Sequence, residues 1–200
     1  MDLINCPYCN LQAHTKYRYT EIVLCGYCKT PILRNKKNTL QIKPAAKPEE
    51  FKFDLIDKSF VYNNQHYKIT GYIRYFYTEG YLYQWAAYNH NTYVWLCESL
   101  GNWFVLLPEK EFENINVSKL SVNTIFSYKG DEYTVNELSL FYNYYMEGEL
   151  PDFTYTQTKG MSIECSSKNK LIQFNVLENN QIEMYTGEHV YFKDLNINLR

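Results

Sequence analysis

Two hundred residues, 46% of them hydrophobic and 21% charged, carry enough apolar material for a packed core, which excludes a disordered chain. The net charge of −2 divides unevenly: residues 1–50 hold eight Lys/Arg against four Asp/Glu, and residues 51–200 hold twelve against eighteen. The larger, acidic part is therefore poorly suited to wrapping a phosphate backbone, while residues 1–50 keep the charge for a nucleic-acid contact. No apolar run approaches the ~18 residues of a membrane span. The N-terminal Met1-Asp2-Leu3-Ile4-Asn5-Cys6 lacks the basic start and apolar stretch of a signal peptide. A cytoplasmic protein with reduced thiols is the expectation.

In chain order, the first element is a pair of C-x-x-C motifs, Cys6-Pro7-Tyr8-Cys9 and Cys25-Gly26-Tyr27-Cys28. Each motif sets two sulfurs on one edge of a tetrahedron, and the separation is that of a four-thiolate zinc site. The redox alternative needs the first pair at a helix N-terminus within a βαβ unit, and no helical period follows Cys9. Cys6, Cys9, Cys25 and Cys28 resemble a zinc ribbon over residues 1–33, and zinc is the implied cofactor. Four thiolates leave no open position for water, so the ribbon is expected to be structural. His14 lies between the pairs and is read as a surface residue.

Residues 34–54 read as a linker, with Pro44, Pro48 and the bases Lys36, Lys37, Lys43 and Lys47. Residues 55–200 then read as an all-β domain. Its aromatic content is unusual, since 21 Tyr, 11 Phe and 3 Trp make 18% of the chain, and such residues favour half-buried pleated surfaces. Tyr67, Ile69, Gly71, Ile73, Tyr75 and Tyr77 fall on one face at period two. Thr78-Glu79-Gly80 supplies a turn, and strands are expected at Tyr81–Tyr88, Tyr93–Glu98 and Trp103–Leu107. Trp85, Trp95 and Trp103 lie on three successive strands, as a core or, if exposed on one face, a stacking platform.

A second copy of the pattern follows. Phe60-x-Tyr62-x4-Tyr67-x-Ile69 matches Phe126-x-Tyr128-x4-Tyr133-x-Val135 at an offset of 66. Glu79-Gly80 matches Glu147-Gly148, and Cys97 matches Cys165, at an offset of 68. Two related antiparallel meanders, about 58–115 and 124–195, are expected to form a sandwich or a barrel-like domain. Both cysteines read as buried strand residues. Residues 136–146 fit a helical stripe by period but a strand by the repeat, and a strand is the reading adopted. Ser162–Cys165, Leu171–Leu177, Gln181–Tyr185 and Val190–Phe192 complete the predicted strands.

Trp95-Leu96-Cys97-Glu98…Gly101-Asn102-Trp103, Gly148-Glu149-Leu150-Pro151 and Glu183…Tyr185…Gly187-Glu188 resemble motifs of an uncharacterised bacterial all-β domain family. Its members often carry N-terminal zinc ribbons beside phage-shock or membrane-stress genes. The resemblance spans about residues 55–195 and implies the fold and a stress-related setting, with no reaction attached. The chain departs from it at Ala87, where the family tends to have Glu, and at Asp152-Phe153, where Trp is usual.

Chemistry is sparse in the rest. His14, His66, His90 and His189 show no ligand or triad spacing, and Glu79 and Glu147 adjoin turn glycines. The expected function is a non-catalytic, zinc-containing binding or adaptor protein of a bacterial stress or envelope-related system, with a protein partner. One alternative is nucleic-acid binding through the ribbon and basic linker, with Tyr8, Tyr17, Tyr19 and Tyr27 stacking on bases. The other is an enzymatic or small-molecule-binding β-domain, which requires a polar-lined cavity.

Overall fold

The computed structural model describes residues 2–18, 20–34, 54–77, 80–90, 92–110, 112, 115–151, 159–178 and 180–197. The linker over 35–53, and with it Lys36, Lys37, Lys43 and Lys47, lies outside the described residues, as do Tyr19, Glu79 and Asp152-Phe153. Among the described residues all regular structure is β-strand, apart from two short 3-10 turns.

The first two hairpins are β1 (Asp2–Asn5) with β2 (Gln12–Thr15), and β3 (Ile22–Leu24) with β4 (Pro31–Leu33). A first meander follows as β5 (Ser59–Tyr62), β6 (Gln65–Tyr77), β7 (Gly80–Tyr88), β8 (Tyr93–Ser99) and β9 (Asn102–Glu109). A second runs through β10 (Ile125–Tyr128), β11 (Asp131–Leu150), β12 (Lys159–Ser167), β13 (Lys170–Leu177) and β14 (Ile182–Val190). The 3-10 turns are Val117–Lys119 and Phe192–Leu195.

All ladders are antiparallel. The order β6-β7-β8-β9-β14-β13-β12-β11 returns to β6 through pairs such as Met146 with Ile73, so eight strands make a barrel-like ring. β5 and β10 fold back as hairpin partners of β6 and β11.

Three apolar clusters follow from this wrapping. The ring interior holds Ile73, Tyr75, Ala86, Trp95, Phe104, Phe141 and Tyr185. Outside the first half, Trp85 stacks on Trp103 at 5.5 Å under Leu55, Phe60 and Leu195. Outside the second half, Val135, Ile163, Cys165 and Phe174 are covered by Val117 and Phe126. The trailing turn of each half thus covers the outer face of the other half. The three tryptophans do not share a face. Trp95 points inward and the other two outward, all as core.

The hairpins at offset 66 match in detail. Phe60 pairs with Tyr67 and stacks on it at 5.5 Å; Phe126 pairs with Tyr133 and stacks at 5.9 Å. Asn63-Asn64 and Lys129-Gly130 form the turns, all at positive φ. Asp57 N–H donates to the Ile69 carbonyl and Asn123 N–H to that of Val135, both at 2.9 Å. Each long strand then carries a register shift, between Ile69 and Gly71 and between Val135 and Glu137.

That shift corrects the single face expected of β6. Tyr67 and Ile69 join the outer cluster, while Ile73, Tyr75 and Tyr77 face inward and Tyr72 takes the outer side. One extra residue in a strand exchanges the two faces beyond it. The offset-68 matches also fail. Gly80 opens β7 whereas Gly148 lies inside β11, and Cys97 sits on β8 whereas Cys165 sits on β12. Cys165 lies between Val135 and Ile172, as Ala87 lies between Ile69 and Val94. Cys97, between Gln84 and Phe104, has Asn175 as its counterpart, between Ser162 and Glu183. Both thiols are fully buried, as expected.

Residues 136–146 are strand, within the 20 residues of β11. The strand pairs β12 over its first part and β6 over its second, so every turn of a helix there would forfeit ladder bonds. The predicted strand over 190–192 ends at Val190; Phe192 begins a 3-10 turn whose ring packs on Trp103 at 4.5 Å.

Candidate metal centre

Each C-x-x-C motif forms the tight connection of an N-terminal hairpin, and the two are built alike. Cys6 N–H donates to the Leu11 carbonyl and Asn10 N–H to the Cys6 carbonyl, both at 2.8 Å. Nineteen positions on, Cys25 N–H donates to the Thr30 carbonyl and Lys29 N–H to the Cys25 carbonyl, both at 3.0 Å. Asn10 and Lys29 both take φ of 60°, which lets the chain turn back after the second cysteine. Pro7 and Gly26 occupy matching places in the two knuckles, and Tyr8 and Tyr27 stand at matching tips, 78% and 77% exposed.

The knuckles converge. Cys6 and Cys28 sulfurs are 3.5 Å apart, Cys9 and Cys25 sulfurs 3.6 Å, and all four lie within 4.8 Å of one another. A tetrahedral ion with metal–sulfur bonds of about 2.3 Å needs sulfur separations of about 3.8 Å, so the four thiols fit a metal ion. The Thr30 hydroxyl, 3.2 Å from the Cys28 sulfur, pulls that thiol down to about 6. Metal binding requires all four thiols to be deprotonated. Cys6 and Cys25 are buried, and Ala13, Val23 and Ile32 pack around the cluster. His14 is exposed on β2 and stands outside the group.

The ribbon is joined to the ring by main chain as well as side chain. β3 pairs with the end of β11, Val23 opposite Glu149 and Ile22 opposite Leu150. The buried Glu149 carboxylate accepts from Lys16 N–H at 2.9 and 3.1 Å and from the Thr20 hydroxyl at 2.7 Å. Tyr17 stacks on Tyr88 at 5.1 Å, and Ile22 belongs to the ring's inner cluster. The ribbon is thus held to the ring independently of the linker.

The motif residues prove architectural. Glu98, buried, accepts from Gly101 N–H at 2.7 Å and fixes the β8–β9 turn, with Leu100 and Gly101 at positive φ. Gly71 and Gly148 allow β6 and β11 to touch: a Cβ on Gly71 would lie 2.6 Å from the Glu147 and Glu149 carbonyls. Glu188 accepts from the Tyr62 hydroxyl at 2.7 Å, and Glu183 from Tyr185 at 3.0 Å. Ala87, where the resemblance leads one to expect Glu, is fully buried.

The remaining sequence candidates scatter. His66 is on β6, His90 in the β7–β8 connection and His189 on β14, all exposed. Glu147 receives the Tyr72 and Tyr145 hydroxyls at 3.5 and 3.4 Å. Burial, then the Glu147 charge, pushes Tyr145 up to about 12. Sequence reasoning missed Glu149 as the ribbon anchor, because nothing local to a G-E-L-P turn shows a partner 133 positions away. It also missed the inward polar residues Glu137, Ser162, Glu164, Gln173 and Asn175, which alternation alone cannot tell from solvent-facing ones. No helix among the described residues is long and apolar enough to cross a membrane.

No family model matches the chain, and no curated protein or solved structure matches it either. The resemblance to the stress-associated domain family rests on the quoted motifs alone.

Proposed function

We propose that the chain is a non-catalytic binding protein in which a structural zinc ion, held by Cys6, Cys9, Cys25 and Cys28, locks the ribbon against the barrel-like ring and presents its knuckles to a protein partner. The observation that carries this reading is the closed sulfur cluster beneath two matched, exposed tyrosine tips. Four soft thiolates in a tetrahedral set suit zinc, and they leave no position for a substrate. Tyr8 and Tyr27 offer rigid amphipathic area of the kind that anchors interfaces. That the partner belongs to a bacterial stress or envelope system, and that the chain works in the cytoplasm, come from the motifs and the thiol-rich ribbon and are part of the proposal. So is the descent of the two meanders from one duplicated unit, which the matched hairpins support.

The test is co-purification with tagged full-length protein from the native host, with Tyr8→Ser/Tyr27→Ser as the paired variant. A partner captured by the natural protein and lost with the variant, at unchanged zinc content, is the expected result. Equal capture by both would refute the knuckle surface.

Of the tyrosines in the nucleic-acid reading, Tyr17 stacks on Tyr88, while Tyr8 and Tyr27 are exposed. The small-molecule reading gains one observation: the ring interior is polar on one side.

A further inference from the structure

Matched pairing lets the two halves of the ring be compared row by row. Across β6, β7 and β8 one inward row is Gly71–Ala86–Trp95. Across β11, β12 and β13 the corresponding row is Glu137–Glu164–Gln173. The next rows are Ile73–Gln84–Cys97 and Ser139–Ser162–Asn175. The same places in the same ladder thus carry mostly apolar groups in one half and polar groups in the other. The ring does not need the polar set to close, and burying Ser162, Gln173 and Asn175 costs free energy unless each is satisfied.

The polar half is also where the interior opens. A cleft of about 610 Å³ lies between the ends of β6 and β7, the β8–β9 turn and β11, lined by Glu137, Ser139 and Leu140 of β11, Glu164 of β12, Tyr77 of β6 and Leu82 of β7. A smaller cavity of about 170 Å³ adjoins it, sharing Glu164 and reaching the buried Gln173, with Lys168 and His189 at its rim. Behind the shared wall, Gln173 donates to Asn175 at 3.0 Å and to Ser162 at 3.3 Å. Glu137 and Glu164 are direct cross-strand neighbours, an arrangement of like charges that is unfavourable by itself. Neither has an ion-pair partner among the described residues; Glu137 accepts from the Ser139 hydroxyl. An eight-stranded ring is just wide enough for side chains to fill or for one small ligand; here side chains fill the middle, and the cleft with its few converging polar groups is where a ligand could sit.

We infer that this cleft binds a small organic amine, its ammonium group between Glu137 and Glu164 and its apolar body against Tyr77 and Leu82. The inference goes beyond the proposed partner surface, since its site is the ring and not the ribbon. An ammonium group supplies the positive charge that the two neighbouring carboxylates lack, and Tyr77 and Leu82 supply apolar contact. A neutral or anionic analogue of equal size offers only the second.

Calorimetric titration of the zinc-loaded full-length protein with 2-phenylethylamine tests this, with 2-phenylethanol and 3-phenylpropionate as neutral and anionic controls. The expected result is saturable one-to-one binding of the amine, with the controls at least about tenfold weaker. Glu164→Gln and Glu137→Gln should each weaken the amine about tenfold while the melting transition is kept. Equal binding of all three compounds, no saturable binding by millimolar amine, or unaltered affinity in both folded variants would overturn it. Failure here with one zinc bound refutes the cleft alone, whereas absent zinc refutes the ribbon reading.

Discussion

At the scale of single residues, burial accounts for most of the unusual chemistry. Cys97 and Cys165 are fully buried, and desolvation pushes the first thiol well above its ordinary range and the second up to about 12. Both should resist alkylation in the native protein, while chelation exposes only Cys6, Cys9, Cys25 and Cys28. Mass mapping of labelled thiols checks this, and rapid modification of Cys97 or Cys165 would contradict it. Glu164 has a stability consequence of definite sign. Burial, and then the Glu137 charge, raise its carboxyl above the usual range, so the folded state holds a proton that the unfolded chain releases near about 4.3. Stability therefore falls as pH rises from that value through the folded pKa of Glu164, the reverse of the common carboxylate case. Glu164→Gln should flatten this slope in denaturant melts taken across the acidic range. Glu149 is a buried acceptor with three hydrogen bonds from the ribbon. Glu149→Gln should cost about 1–3 kcal/mol and speed hydrogen exchange in β3 and at Lys16.

Among the elements, how much the sequence revealed depended on the range of the interaction. Strands such as Tyr81–Tyr88 and Tyr93–Glu98 were legible because aromatic alternation and turn residues are local signals. The sulfur cluster was legible because C-x-x-C spacing encodes knuckle geometry. The bulge after Ile69 was not, since it answers to the crossing of β6 and β11, whose paired residues lie 64 to 77 positions apart. For the same reason the cysteine match at offset 68 misled: the insertion that lengthens β11 changes the spacing beyond it, and the counterpart of Cys97 is Asn175. The crossing itself makes a sharp prediction. Gly148 sits at φ 82°, and a Cβ there would run into the Thr70 carbonyl. Gly148→Ala should destabilise the protein by about 2–4 kcal/mol in chemical denaturation, while Gly26→Ala, where a Cβ meets nothing within 4 Å, should cost far less.

For the whole molecule, the ribbon and the ring share a sheet, in the order β4-β3-β11. Metal binding is folding free energy for a four-cysteine ribbon, and the shared sheet carries part of it into the ring. Ring and ribbon are joined through Glu149, the Tyr17–Tyr88 stack and the β3–β11 ladder, and under the proposed function the surface at Tyr8 and Tyr27 would depend on the metal as well. The most direct measurement is the zinc content of the reduced, purified full-length protein, taken together with its melting temperature before and after chelation. The account predicts one zinc per chain, lost on Cys9→Ser, and a melting transition of residues 55–200 that falls when the metal is removed. A metal-free reduced protein, or a ring that melts unchanged without its zinc, would contradict it.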